Sequence, residues 1–174
     1  MNFKQSFVSV IIATLFTTTL AWADPVKRLQ PGDKTIAEIA TSMPETVSTL
    51  VAALTCTDLV GAVSDPEAEL TVFAPTNDAF AGAGLNAGNI CDLDKETLTE
   101  ILLYHVTGER RPSPSVINGR NKSIEMLAGG SIYPEGRTSL NIDDNTGQTV
   151  SIAVADVLAS NGIVHVISGV LMPF

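Results

Sequence analysis

The stretch that decides the fold is Leu70-Thr71-Val72-Phe73-Ala74-Pro75-Thr76-Asn77-Asp78-Ala79-Phe80. Leu70 to Ala74 is a short run of β character. Pro75 stops it, because proline cannot donate to a sheet ladder. Thr76-Asn77-Asp78 is a helix-start signal, and Ala79-Phe80 begin a short helix. A strand handing directly to a helix therefore stands near the middle of the chain.

Upstream of this stretch the pattern is helical. Ile36, Ile39, Ala40 and Met43 recur at helical spacing after Lys34-Thr35. Pro44 interrupts, and Val47, Leu50, Val51 and Leu54 make a second apolar face. Asp58 to Val63 adds a short turn that Ser64-Asp65-Pro66 ends. Residues 81–91, rich in Gly, Ala and Asn, read as loop. Asp92 or Asp94 caps the next helix, Lys95 to about Tyr104, with Leu98, Ile101 and Leu102 on its buried face.

Downstream the period changes. Residues 108–122 are connection, with one turn around Ser115-Val116-Ile117. Strands are expected at about Ser123–Leu127, Ser131–Tyr133, Ser139–Ile142, Val150–Leu158 and Ile163–Val166. Gly129-Gly130, Glu135-Gly136 and Asp143-Asp144-Asn145 punctuate them. Asn161-Gly162 is a tight-turn dipeptide between the last two. Helices first and strands later predict an α+β domain. No internal repeat is visible.

The chain has 174 residues, 45% hydrophobic and 17% charged, which suits one globular domain. Aromatics make up only 5%, so small aliphatics fill most of the core. With 19 acidic against 10 basic residues the formal charge is −9. Such a surface repels phosphate backbones and anionic lipid heads, so no nucleic-acid partner is expected.

Residues 1–23 have the layout of a secretory signal peptide. Lys4 supplies the positive end, Phe7 to Phe16 the apolar core, and Ala21-Trp22-Ala23 the small-residue site, placing cleavage between Ala23 and Asp24. The strongly apolar part falls short of the ~20 residues a membrane span needs. Residues 24–33 read as a flexible N-terminal lead and 34–174 as a single domain. No transmembrane segment is expected in the mature chain, which should be secreted or periplasmic. In that oxidising setting Cys56 and Cys91 suggest one structural disulfide; two free buried thiols are the other reading.

Signatures of catalysis are scarce. There is no G-x-S-x-G, H-E-x-x-H, P-loop or G-x-G-x-x-G motif. Asp143-Asp144-Asn145 lacks the spacing of an EF-hand and reads as a solvated turn. Two histidines and two cysteines leave little for a metal site, so neither metal nor cofactor is expected. His105 and His165 read as hydrogen-bonded core histidines. Asn121-Lys122-Ser123 fits the N-glycosylation acceptor pattern.

Three segments together resemble the fasciclin domain family. They are Thr71 to Phe80; Leu102-Leu103-Tyr104-His105-Val106; and Ala159-Ser160-Asn161-Gly162-Ile163-Val164-His165-Val166-Ile167, followed by Val170-Leu171-Met172-Pro173. Thr35-Ile36-Ala37 resembles the family's usual start. The resemblance spans residues 34 to 173. It implies an α+β fold: a wedge-shaped β-sandwich with helices packed along one edge. It also implies that Thr71–Ala74 is a central strand, that Asn77-Asp78 cap the following helix, and that the final strand pairs near the first block.

For function, the resemblance implies a secreted or surface-attached module of adhesion or extracellular-matrix interaction, non-enzymatic, binding a protein or polysaccharide. Carried over residue by residue, it points to Tyr104 and His105, and to Asp156-Val157 where an Asp-Ile pair would stand; Ala155 precedes it in place of proline. An inward-facing Asp156 would instead be a structural acceptor. Two other functions compete. A carrier of a small apolar ligand requires an apolar cleft of about 300 Å³ or more. A hydrolase built on His105 or His165 requires a serine within hydrogen-bond reach and a third orienting group.

Overall fold

The computed structural model describes residues 32–117, 123–135, 141–143 and 149–173. The expected signal segment 1–23 with its expected cleavage site, residues 24–31 of the expected lead, Asn121 and Asp144-Asn145 lie outside the described residues. Helix α1 (Ile36–Thr41) begins at Thr35, whose side chain accepts from Glu38 N while Glu38 reaches back to the Thr35 amide. This reciprocal cap satisfies two amides that the first helical turn leaves open. Helix α2 (Pro44–Cys56) follows with Pro44 in its first turn, where a missing N–H costs nothing. Helix α3 (Val60–Ser64) is a single short turn.

Strand β1 (Leu70–Pro75) leads into helix α4 (Asn77–Gly82). The cap of α4 is Thr76, which accepts from Ala79 N, rather than Asn77 or Asp78. Asn77 turns the other way: its Oδ1 accepts from Thr49 N at 3.0 Å, and its Nδ2 donates to the Pro44 and Glu45 carbonyls. It ties α4 to α2, a role that local spacing cannot reveal. The expected loop 81–91 contains a 3₁₀ turn at Ile90–Asp92. Asp94 then caps helix α5 (Lys95–Leu103). Strand β2 (Val106–Thr107) was not foreseen, since two residues are too few to show a period. Helix α6 (Ser113–Ile117) is the expected turn in the connection.

The remaining strands are β3 (Ile124–Glu125), β4 (Ser131–Glu135), β5 (Asn141–Asp143), β6 (Thr149–Ala159) and β7 (Gly162–Ile167). The seven strands found among the described residues form one order, β2-β1-β7-β6-β5-β4-β3. At its centre β1 runs parallel to β7, from Leu70 opposite Gly162 to Pro75 opposite Ile167. Register shifts at two places in β6 bend the sheet.

The turn between β6 and β7 is Ser160-Asn161, because Ala159 already pairs with Gly162. Gly162 belongs to the strand, not to the turn. A Cβ there would lie 2.1 Å from the Leu70 carbonyl oxygen and 2.7 Å from Ile36 Cδ1, so only glycine lets β7 approach β1. Asn161 is 1% exposed. Its Oδ1 accepts from Ile36 N at 2.9 Å, and its Nδ2 donates to Val63 O at 3.0 Å and Asp65 O at 2.8 Å. One side chain thus joins α1, the end of α3 and the last turn.

Two cores flank the β1–β7 pair. Val72, Ala74 and Val164 face the helices and pack with Ile36, Leu50, Leu54, Phe80, Leu98 and Leu102. Phe73 and Ile167 face the other way, into Ile124, Ile132, Val150 and Leu171. The β3–β4 end of the sheet therefore folds over the β1–β7 centre. Cys56 at the end of α2 is bridged to Cys91, with Cα atoms 5.8 Å apart. The bridge pins the 3₁₀ turn to the helical layer.

Candidate functional site

Tyr104 and His105 stand at the end of α5, where the chain leaves the helix for β2. Both are 1% exposed. The Tyr104 hydroxyl donates to Ser131 O at 3.3 Å, and its ring underlies Gly130, whose φ is +76°. A Cβ on Gly130 would come within 3.1 Å of Tyr104 Cε2. The imidazole of His105 bridges two backbone segments: Nδ1 meets Ile101 O at 2.7 Å, and Leu171 N donates to Nε2 at 2.9 Å. A carbonyl only accepts and an amide only donates, so His105 is the neutral tautomer with its proton on Nδ1. The His105 carbonyl accepts from Phe73 N at 2.8 Å. These two residues are interior girders, and neither offers more than a trace of surface.

Asp156 lies in the irregular part of β6 with φ +57°, a left-handed backbone uncommon outside glycine. Its carboxylate accepts from Ser113 N at 2.7 Å and from Ser113 Oγ. It thereby caps α6 from a distant part of the chain. The Asp156 amide donates to His165 Nδ1 at 3.3 Å, while His165 Nε2 donates to Arg111 O at 2.8 Å. His165 is therefore neutral, with its proton on Nε2. Burial holds its pKa below the ordinary 6.5, against the opposing pull of the Arg111 carbonyl and the Asp156 charge. Its ring stacks on Phe73 at 5.5 Å between centroids. Val157 is half-buried against the helical core, whereas Val154 and Leu158 are exposed.

The four residues singled out in the sequence are thus connected, but through Phe73 and His165 rather than on a common surface. Asp156 and Val157 reach solvent in part; Tyr104 and His105 do not. The serine nearest His165 in this network, Ser113, bonds to Asp156 and not to an imidazole. That order is a helix cap, unlike the serine–histidine contact of a nucleophile with its base. Sequence reading missed Ser113 and Arg111 as members of the network, since nothing in the connection 108–117 forecasts which strand it straps down.

Between the helices and β1 lies an apolar void of about 20 Å³, lined by residues including Met43, Leu50, Leu102 and His105. That is about the room one water molecule needs, far below the ~300 Å³ of a small-molecule pocket. Open grooves lie elsewhere among the described residues. One, of about 460 Å³, runs past Thr107, Gly108, Glu109, Arg111, Ser123 and Glu125; another, of about 650 Å³, runs past Glu96, Glu100, Leu103 and Ala128. Leu127 borders both. No group of three or more His, Cys, Asp or Glu side chains is arranged to hold a metal among the described residues. Among them, too, no helix is long and apolar enough to cross a membrane.

Comparison with known proteins bears on the same elements. The chain is 40% identical over 146 residues to Protein sll1483 of Synechocystis, covering 80% of this chain and 73% of that protein. It is 30% identical over 148 residues to the immunogenic protein MPB70 of Mycobacterium bovis, covering 79% and 68%. Human periostin is 27% identical over 146 residues, which is 83% of this chain but 17% of periostin. Among solved structures, a FAS1 domain pair from the insect cell adhesion molecule Fasciclin I superposes with a TM-score of 0.66 at 16% identity, over 80% of this chain and 51% of that one. At that identity the likeness concerns the fold. The fasciclin domain model matches residues 45–173, from the first turns of α2 to the end of the described chain, so the protein belongs to the fasciclin domain family.

Proposed function

We propose that the chain is exported, is cleaved between Ala23 and Asp24, and acts outside the cytoplasm as a non-enzymatic contact module for an extracellular protein or polysaccharide. Residues 34–174 form its one domain. Asp156 and Val157 contribute to the contact face, and Tyr104 and His105 hold that face in shape. The carrying observation is the engagement of the groups that could do chemistry. His105 and His165 are each locked as neutral tautomers between backbone partners, and Ser113 is tied to Asp156. Membership of a family that includes an insect cell adhesion molecule supports the same reading. The 20 Å³ void gives the carrier reading no ready site.

The test is saturable binding of the cleaved protein to extracts of its own cell surface. Asp156→Ala and Val157→Ser, each checked for folding by circular dichroism, should weaken that binding. Absence of any saturable partner would overturn the reading. So would turnover by the pure protein that disappears in a folded His105→Gln or His165→Gln variant.

A further inference from the structure

Just beyond β3, at one end of the sheet order, Leu127 N donates to Val106 O of β2, at the other end, at 2.8 Å. From that bond the strands part. The 460 Å³ groove lies between Thr107–Glu109 on one side and Ser123–Glu125 on the other. β2 pairs only with β1, and β3 only with β4, among the described residues. The groove is therefore a gap between two sheet edges, where unpaired backbone groups invite a further strand. Leu127 stands at its closed end and is 51% exposed. It is held rather than loose: besides its own bond to Val106, Ala128 N donates to Leu103 O at 3.3 Å, and Gly130 rests on the Tyr104 ring.

The charge around Leu127 is one-sided. Glu125 lines the gap, and Glu96 and Glu100 line the groove across Leu127. All three are exposed and take part in neither of the two ion pairs found among the described residues. Among the described residues that line the two grooves, the cations are Arg111, matched to Glu109 at 2.5 Å, and Lys95, matched to Asp58 at 2.5 Å. A second copy of a chain carrying −9 would be repelled. An anionic polysaccharide would be repelled too. A neutral one would want aromatic platforms, and no aromatic side chain is among the residues lining these grooves.

We infer that the gap between β2 and β3 receives an extended, cationic segment of a protein partner, which adds as a strand and sets an aliphatic side chain on Leu127. The inference rests on the contact-module reading above and assigns it a second face and a partner chemistry. Tyr104 is a positioning residue here, since it props the hairpin that carries Leu127.

The probe is a short synthetic peptide alternating Lys and Val, added to the isotope-labelled secreted protein. Amide shifts should concentrate at Thr107–Glu109 and Ser123–Leu127, and binding should weaken as salt rises. A Lys–Ser analogue should bind about tenfold more weakly, and a Glu–Val analogue should not bind. Leu127→Ser and a Glu100→Gln/Glu125→Gln pair should each weaken the Lys–Val peptide, while Glu67→Gln, outside the groove, should not. Shifts scattered over the acidic surface, equal affinity for Lys–Val and Lys–Ser, or indifference to Leu127→Ser would overturn the inference. Surface-extract binding by the unsubstituted protein is measured in parallel. If it persists while the peptides fail, the gap is refuted and the broader contact reading stands; loss of both refutes both.

Discussion

Replacing Asn161 with alanine tests how far one buried amide organises the domain. The substitution removes the acceptor for Ile36 N and both donors to the Val63 and Asp65 carbonyls. Ile36 and Val63 are 2% and 4% exposed, so water does not readily replace what is lost there. At about 1 kcal/mol net per bond, with an added penalty for a stranded buried amide, the loss comes to about 3–4 kcal/mol. For a domain of this size that corresponds to a melting point roughly 6–16 °C lower. Urea unfolding followed by circular dichroism, with thermal melts alongside, reads both quantities. Asn161→Asp keeps the acceptor but sets a carboxylate against two carbonyls, so it should be at least as damaging as alanine. A loss below about 1 kcal/mol in the alanine variant, or an aspartate milder than alanine, would refute the three-way tie as a source of stability.

Other outcomes follow from the same geometry. Because burial lowers the folded-state pKa of His165, its neutral form is favoured on folding. Its contribution is in place above the unfolded value of 6.5 and is lost as pH falls through the lower folded value. Urea midpoints across this range should therefore fall more steeply with acidification in the native protein than in His165→Gln; equal slopes would contradict this. Reducing the Cys56–Cys91 bridge should cost about 3–4 kcal/mol of stability, and thiol titration of the denatured, unreduced protein should find no free thiol. Gly162→Ala should prevent normal folding or depress the melting point by more than Asn161→Ala does, because the added carbon meets the Leu70 carbonyl rather than a movable side chain. A melt within a few degrees of native would show that β1 and β7 can part more easily than their spacing indicates.

Local chemistry made much of the fold legible. Thr35 with Glu38, Pro75 and Asp94 each act within a few residues, so their roles can be read without knowing the tertiary structure. The parallel pairing of β1 with β7 was reachable only through the family resemblance. What escaped reading depends on contacts distant in sequence. Asn77 and Asn161 carry turn and cap chemistry, yet each side chain is aimed at backbone far along the chain. His105 reads as a hydrogen-bonded core histidine and is buried, whereas Tyr104 is legible as special but not as buried, because a satisfied interior polar residue and a surface contact share one alphabet. Leu127 reads as the apolar end of a strand. Only the closing of β3 toward β2 turns it outward between two grooves.

The parallel partnership of Leu70–Pro75 with Gly162–Ile167 also governs how the domain comes into being. A nascent or partly translocated chain that ends before Gly162 has no partner for the far side of its central strand, and both cores stay open. Helices near the start can flicker, but the decisive closure waits for the last stretch to emerge, which places the molecule among slow folders with distant contacts, roughly milliseconds to seconds. If the chain is exported as proposed, late completion keeps it threadable until nearly all of it has crossed a channel.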